Sequence, residues 1–129
     1  MRQGLTYDDV LLEPQYSDIV SRKEVSLETD LGKGVKLRVP IIASPMDTVS
    51  EASMAWGMGM AGATAIIHRY NSVSDQAAMF NSVPQHSIAG GAVGVGRDMA
   101  ERATALVHAG AKIVCVDVAH GHHILVKKA

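Results

Sequence analysis

The sequence predicts an α/β protein built around a parallel β-sheet. Four short apolar runs recur along the chain, and each has the length of a strand that is buried on both faces. Segments with helical spacing of their apolar residues follow the first three runs, and the connections are short. This alternation is typical of parallel sheets joined by crossover helices. A doubly wound sheet and a (β/α)₈ barrel both begin in this way, and periodicity alone leaves the two open.

Composition excludes several classes of function. The chain has 129 residues, enough for one domain with a real core. Its formal net charge is −1, which provides no basic face for nucleic acid or anionic lipid. No apolar run approaches the roughly 20 residues that span a bilayer, and the first residues do not resemble a signal peptide. A single cysteine, Cys115, rules out an internal disulfide. We therefore expect a cytoplasmic protein that binds neither nucleic acid nor membranes.

Residues 1–38 are predicted to form an extension ahead of the sheet. Asp8 and Asp9 precede an apolar cluster. An acid pair can bind metal, but a polar turn or helix start ahead of a hydrophobic anchor is the simpler interpretation. Further on, apolar residues alternate on both sides of Gly32-Lys33-Gly34, which predicts a β-hairpin. Residues 39–129 then hold the four strands and their helices.

The first predicted strand, residues 39–43, ends in a tight turn. Pro45 fixes its own φ and favours an extended conformation at Ser44. The turn also carries Met46 and Asp47. Ligands of parallel α/β proteins bind at the carboxyl ends of the strands, and the sequence therefore predicts a ligand-binding turn here.

A helix is predicted to follow at residues 49–61. Thr48 and Glu51 have the T-x-x-E spacing of a capping box at its start. Gly62 is predicted to end it as a left-handed C-cap. The methionines on one face of this helix are interpreted as core residues.

Three more strands and two more helices complete the pattern. The strands are predicted at residues 63–67, 90–96 and 113–117, the second of these including its exit turn. The helices are predicted to begin at pairs of capping residues, Ser72 with Asp75 and Asp98 with Glu101. The residues of the later helix that are predicted to face inward are Ala103, Leu106 and Val107.

Two motifs suggest ligands that the surrounding residues do not favour. The glycine turn at residues 94–98 lacks G-K-[ST], and Met99 stands where a dinucleotide fingerprint needs a small residue. Simple turn geometry is therefore favoured over phosphate binding. The histidines of residues 120–123 suggest zinc, but only Asp117 and His68 are available as further ligands. A loop that contacts substrate or cofactor is favoured there instead.

The fourth strand ends in the most informative acid. Asp117 is the last residue of a buried strand, where a carboxylate must be paired or hydrogen-bonded, and a ribose hydroxyl is a suitable partner. A capping role for the next helix is the alternative. Cys115 lies inside the apolar run, where a thiol stays protonated and inaccessible, and is interpreted as core.

Four separated motifs, in this order, resemble the IMP dehydrogenase and GMP reductase family. They are Leu5–Pro14, Val39–Glu51, Ile66–Arg69 and Val116–His122, and the resemblance extends from about residue 4 to the end of the chain. It implies a (β/α)₈ barrel, or TIM barrel, of which these residues form the N-terminal part: about three β–α units and a fourth strand. It also implies binding of a purine mononucleotide, IMP or GMP, and of NAD or NADP at the carboxyl face.

The resemblance implies roles for particular residues. Ser44 and Met46 are implied to contact the nucleotide, with Met46 against the base. The residues implied to contact the nicotinamide cofactor are Asp117, Val118 and Ala119. Arg69 stands where family members often carry a lysine, and the resemblance leaves open a polar role for it. No metal ligand is implied among these residues.

The sequence also departs from the family pattern. Residues 80–90 leave no room for the paired regulatory domain that dehydrogenases usually carry. The resemblance implies that four parts of a full-length dehydrogenase lie beyond these 129 residues: the catalytic cysteine loop, the mobile flap, the phosphate-binding glycines and the potassium loop. A complete barrel has about 250 residues, so this chain corresponds to about half of one. We therefore expect no catalytic residue here and no turnover by this chain alone.

The motifs only slightly favour one of the family's two activities over the other. The Ser44–Met46 and His120–His122 motifs favour the dehydrogenase, and residues 117–119 with the missing insert favour the reductase. IMP dehydrogenase is slightly preferred. GMP reductase, or a non-catalytic half-barrel that self-associates, is the alternative. The family implies a homo-oligomer, a tetramer at full length.

Overall fold

The computed structural model describes residues 3–129. A two-stranded antiparallel hairpin precedes a parallel sheet of four strands. The strands are β1 (Thr29–Asp30), β2 (Lys36–Leu37), β3 (Ile42–Ala43), β4 (Thr64–Ile67), β5 (Gly90–Val93) and β6 (Ile113–Val116). The helices are α1 (Ala52–Ala61), α2 (Val73–Met79), α3 (Met99–His108) and α4 (Ile124–Lys128). Short 3₁₀ turns occupy Tyr7–Asp9, Arg22–Glu24 and Phe80–Ser82.

The predicted α/β class with a parallel sheet is confirmed. The strands lie in the order β3-β4-β5-β6, each beside its neighbour in sequence. A doubly wound sheet reverses its strand order at a switch point, whereas a (β/α)₈ barrel adds its strands in sequence. The observed order is therefore consistent with part of a barrel.

The core lies between the two central strands and the helices packed on them. All residues of β4 and β5 are buried, as the sequence predicts. Glycine at the second position of β5 lets α3 approach closely, because a Cβ at Gly91 would lie 2.7 Å from a methyl carbon of Leu106 on α3. The core cluster contains Ala55, Ala65, Ile67, Phe80, Ala89, Val93, Leu106 and Ala111.

The outer strands of the sheet are less covered than predicted. The first strand was expected to be buried over residues 39–43, but β3 has only two residues, and the side chain of Ile42 is 46% exposed. On β6, Val114 and Val116 are 40% and 37% exposed. Each of these strands pairs on one side only within residues 3–129, and this leaves their other sides uncovered.

The first helix ends as predicted but begins differently. Gly62 is left-handed, with φ of 85°, and Met54 and Met58 pack against the core. The capping box of Thr48 with Glu51 is wrong. Thr48 has φ of 60° inside a turn, α1 begins at Ala52, and its N-cap residue Glu51 makes no side-chain capping bond. The Glu51 carboxylate instead accepts a hydrogen bond from a histidine, described below.

Of the two later helices, one begins at its predicted capping residue and the other lacks the predicted capping bond. The hydroxyl oxygen of Ser72 accepts the Asp75 N–H at 3.0 Å, which confirms the predicted cap of α2. The predicted capping by Asp98 is wrong, because its carboxylate accepts from Arg102 of α3. Val107, predicted to face inward, is 56% exposed, and Arg102 is buried in its place.

The N-terminal extension is only partly anchored to the sheet. Its hairpin is confirmed, and Leu37 of β2 is fully buried. The helical start is also confirmed, because Asp9 accepts from the Thr6 N–H; this bond, with one from the Thr6 hydroxyl, lowers the pKa of Asp9. The hydrophobic anchor is wrong, since Leu11 and Leu12 are 97% and 98% exposed. Residues 1 and 2 of the predicted extension lie outside the described residues.

No helix among residues 3–129 has the length and apolar character needed to cross a membrane.

Candidate functional site

The candidate site lies along the carboxyl edge of the parallel sheet. Because all four strands point the same way, the segments that follow them meet at one edge. The structure thereby brings together the turn after β3, His68 and Arg69 after β4, Gly94 after β5 and Asp117 after β6. The turn after β3 and Asp117 are three strand spacings apart, about 14 Å along the edge.

The turn after β3 is held in shape by its own backbone and by Ser50. The Met46 N–H donates to the Ser44 carbonyl at 2.8 Å, and the Ser50 N–H donates to the Met46 carbonyl at 2.9 Å. The Ser50 hydroxyl, which is buried, also donates to the Ser44 carbonyl. The side chain of Met46 remains 56% exposed. The turn is thus fixed while its apolar side chain is free to contact a ligand.

A buried histidine connects this turn to the second strand of the sheet. His68 follows β4 and is 2% exposed. Its Nδ1 accepts the Tyr70 N–H at 3.1 Å, and its Nε2 lies 3.1 Å from Glu51 Oε1 and 3.7 Å from Asp47 Oδ1. Sequence reasoning named these residues separately and missed the cluster. A histidine directly after a buried strand was the available signal.

The cluster of Asp47, Glu51 and His68 has the residue types of a metal site, and their ligand atoms lie within 4.8 Å of one another. The ring geometry favours a different interpretation. Because Nδ1 accepts the Tyr70 N–H, the proton of the neutral imidazole lies on Nε2, which faces Glu51. Nε2 then donates a hydrogen bond and has no free lone pair for a metal. We interpret the cluster as a hydrogen-bond network.

Asp117 is paired, as the sequence requires, and its partner is Arg69. The Arg69 Nε donates to Asp117 Oδ2 at 3.2 Å, and Nη2 donates to the Asp117 carbonyl at 3.2 Å. The guanidinium carbon also lies 5.3 Å from the centre of the Tyr70 ring. The capping alternative for Asp117 is wrong, because the N-cap of α4 is His123.

Space for this arginine comes from a glycine after β5. A Cβ at Gly94 would lie 3.2 Å from Arg69 Nη1, so a side chain there would push the guanidinium away. The Asp117 N–H is itself fixed by the Val93 carbonyl at 2.8 Å. The glycine turn therefore makes room for Arg69, a role that its sequence pattern did not predict.

The remaining candidates do not assemble into a site among residues 3–129. His123 accepts the Leu125 N–H and begins α4, while His120 and His122 are exposed. These histidines form no cluster with other metal-ligand types in that range. Cys115 is partly buried, and burial together with the Asp117 charge raises the pKa of its thiol. The raised pKa favours the protonated thiol, but the interpretation of Cys115 as a core residue is wrong, because it lies on the outer strand β6 and is only partly buried.

These features define an α/β protein with a parallel sheet and a candidate site at its carboxyl edge. A sequence profile described as the IMP dehydrogenase / GMP reductase domain matches residues 4–129. The match covers nearly the whole chain. The chain belongs to the IMP dehydrogenase / GMP reductase family.

Individual relatives carry both of the family's names. An inosine-5'-monophosphate dehydrogenase of Nitrosopumilus maritimus is 47% identical over 76 residues, 59% of this chain and 16% of that protein. A GMP reductase of Leishmania donovani is 48% identical over 81 residues, 63% of this chain and 16% of that protein. An inosine-5'-monophosphate dehydrogenase of Cryptosporidium parvum is 33% identical over an aligned length of 166 residues, which covers 95% of this chain and 41% of that protein. The chain thus spans less than half the length of these relatives.

Proposed function

We propose that this chain is part of a purine nucleotide oxidoreductase of the IMP dehydrogenase type, which converts IMP, NAD⁺ and water to XMP, NADH and a proton. Family membership and the names of its relatives support this activity. GMP reductase, which converts GMP, NADPH and a proton to IMP, NADP⁺ and ammonia, is the second candidate. A reductase of 48% identity and the absence of a regulatory insert support the alternative.

The observation that carries the nucleotide assignment is the turn after β3. Ser44 and Met46 lie on a segment that is braced by a buried serine, and the methionine side chain is exposed at the ligand edge of the sheet. An exposed, polarisable side chain on a rigid turn suits contact with one face of a purine. We assign Ser44 and Met46 to the mononucleotide.

For the cofactor we propose Asp117, Val118 and Ala119. The Arg69 guanidinium binds Oδ2 of Asp117, and among residues 3–129 Oδ1 has no hydrogen-bond partner, so it can accept from a ribose hydroxyl. These residues fit NAD or NADP on that basis. The cofactor supplies hydride transfer when it is bound. Arg69 keeps the Asp117 carboxylate oriented.

We assign no catalytic residue to these 129 residues, whose only cysteine is the partly buried Cys115. We therefore expect no turnover by this chain alone. Residues 1–38 are proposed as an extension and residues 39–129 as the barrel part. A cytoplasmic location remains a prediction from composition. Homo-oligomeric assembly, a full barrel and potassium dependence at full length remain predictions from the resemblance.

Met46→Ala tests the nucleotide assignment. Loss of apolar contact with the purine should weaken IMP or GMP binding by about 1–2 kcal/mol. Binding is measured by NMR titration of the 129-residue chain, which detects weak complexes. Met60→Ala is the matched control, because Met60 is 51% exposed but lies on α1. Equal affinities in wild type and Met46→Ala would contradict the assignment.

Asp117→Asn tests the cofactor assignment. The weaker acceptor should reduce nicotinamide cofactor binding by about tenfold, because hydrogen bonds to charged groups are the stronger ones. Mononucleotide affinity should stay within about twofold. The Arg69–Asp117 pair is about one-third exposed, so its loss should cost at most about 1 kcal/mol of folding stability. A parallel loss of mononucleotide affinity would argue against a separate cofactor role.

A further inference from the structure

We propose that His68 is a positioning residue for the turn of Ser44 and Met46, acting through Glu51 and Ser50. Its side chain is 2% exposed, and its Nε2 faces Glu51. Its position directly after β4 joins the central part of the sheet to the turn that follows the exposed edge strand β3. The identity of the ligand rests on the proposed function, but the positioning role rests on hydrogen bonds within the chain.

The need for such a brace follows from the exposure of β3. This strand has two residues and pairs on one side only within residues 3–129, so the sheet by itself restrains the following turn weakly. Thr48, in the same loop, has φ of 60°, a backbone conformation that costs free energy for a β-branched residue. Interactions outside the strand must therefore hold the loop in this shape.

His68 supplies two of those interactions. Its backbone N–H donates to the Ser50 carbonyl at 3.1 Å, and its Nε2–H donates to the Glu51 carboxylate at 3.1 Å. Ser50 in turn binds Ser44 through its hydroxyl and Met46 through its N–H. The imidazole therefore holds Glu51, the neighbour of Ser50, and Ser50 holds the two residues proposed to contact the nucleotide.

The orientation of the imidazole is also fixed. The Tyr70 N–H donates to Nδ1 at 3.1 Å, which leaves the proton on Nε2, the atom that faces Glu51. The ring is 2% exposed, so no water competes for either nitrogen. A histidine held in this way serves as a rigid hydrogen-bond donor.

Hydrogen exchange at the Ser50 amide tests the proposal, because this amide closes the turn onto the Met46 carbonyl. In His68→Asn the new side-chain oxygen can still accept from Tyr70, but nothing reaches Glu51. We expect Ser50 exchange to become about tenfold faster, since one hydrogen bond to a charged group is lost. His68→Gln, whose amide nitrogen reaches towards the position of Nε2, should return exchange to within about threefold of wild type.

Thr64→Val is the matched control. Thr64 lies at the other end of β4, is also fully buried, and donates one hydrogen bond to the Ile88 carbonyl at 2.8 Å. Its replacement should lower global stability and leave Ser50 exchange unchanged after correction for global unfolding. Equal acceleration in Thr64→Val and His68→Asn would overturn the proposal, because His68 would then act only through overall stability.

If His68→Asn fails to fold, Glu51→Ala tests whether the hydrogen bond between His68 and Glu51 holds the turn. The Glu51 side chain is 43% exposed, so its truncation leaves no buried cavity. It removes the same hydrogen bond from the acceptor side, and Ser50 exchange should again become about tenfold faster. A wild-type exchange rate in Glu51→Ala would overturn the proposal.

A binding measurement separates this proposal from the proposed function. With IMP as the probe and the Met46 methyl resonance as the signal, His68→Asn should bind about tenfold more weakly and His68→Gln nearly as well as wild type. No binding by wild type would overturn nucleotide binding by this chain, while the exchange rates would still decide the role of His68. Weaker IMP binding without faster Ser50 exchange would overturn positioning and assign His68 a direct contact.

Discussion

Replacing Arg102 with methionine will lower the free energy of unfolding by about 2–4 kcal/mol, because it leaves the Gln76 Oε1 and the Asn71 carbonyl without their donor. Arg102 is 7% exposed although it is charged, and each of its hydrogen bonds joins a different part of the fold. Its Nε donates to Asp98, Nη1 to Gln76 and Nη2 to the Asn71 carbonyl. Methionine fills similar space and replaces none of these bonds.

The effect is large because Gln76 depends on the same contact. Gln76 is fully buried, and its amide nitrogen donates to the carbonyls of Ile67 at 3.1 Å and Ala92 at 2.9 Å. It therefore joins β4 to β5 from the middle of α2. Without Arg102 its Oε1 is buried with no donor, and an unsatisfied buried acceptor costs about 1–3 kcal/mol by itself.

Urea denaturation of Arg102→Met and Arg97→Met measures the difference. Arg97 is an exposed arginine five positions earlier, and its replacement should change the free energy of unfolding by less than about 0.5 kcal/mol. Similar losses in the two variants would contradict the network. Gln76→Leu with Arg102→Met should lose less than the sum of the single losses, because the two residues share a bond.

The hydrogen bond between Arg102 and Asp98 makes a further contribution that depends on pH. The hydrogen bond from Arg102 lowers the pKa of Asp98. A lowered pKa in the folded state adds stability above the unfolded value of about 3.9, and this addition is lost as the pH falls through the folded pKa. In Arg102→Met the contribution should disappear. Denaturation at pH 7 and at pH values below about 3.9, compared between wild type and variant, measures it.

The sequence predicted the parts of the fold that depend on local apolar pattern. The buried runs became β4 and β5, and Gly62 and Ser72 mark helix ends because left-handed geometry and a capping hydroxyl are local requirements. Arg102 was missed because a charged side chain is normally exposed, and its partner Gln76 lies 26 positions earlier. A pattern within one helix carries no record of such a contact.

In the candidate site, too, the local sequence did not predict which residues are partners. The position of Asp117 at a strand end predicted that it must be paired, and the structure supplies Arg69, 48 positions earlier, as the partner. Glu51 was assigned to a capping box because its spacing from Thr48 fits one. In the structure, Glu51 accepts from His68, and Thr48 lies in a turn with positive φ. Sequence spacing identified the polar residues of the edge, and three-dimensional proximity determined their partners.

The local sequence pattern also could not predict that the outer strands are exposed. An apolar run has the same composition whether neighbours cover it or not, and Ile42 and Val114 were therefore both expected to be buried. Their exposure places apolar surface at both lateral edges of the sheet. Unpaired strand edges with apolar side chains favour association.

Purified as these 129 residues, the chain will sediment as a dimer or larger species, and lysines at Val114 and Val116 will convert it to a monomer. These two valines lie on β6, which pairs only with β5 within residues 3–129. Two strand edges can pair between copies, much as strands of a closed barrel pair within one chain.

The size of the effect follows from burial of these side chains. Full burial of an exposed valine contributes about 1.5 kcal/mol, and Val114 and Val116 are 40% and 37% exposed, so covering the remainder contributes about 0.6 kcal/mol each. The loss of both should raise the dissociation constant about tenfold, and repulsion between lysines adds to this. Val107→Lys is the matched control, since Val107 is 56% exposed on α3 rather than on the strand edge. Sedimentation of wild type as a monomer, or an equal loss of association in Val107→Lys, would show that the β6 edge does not mediate assembly.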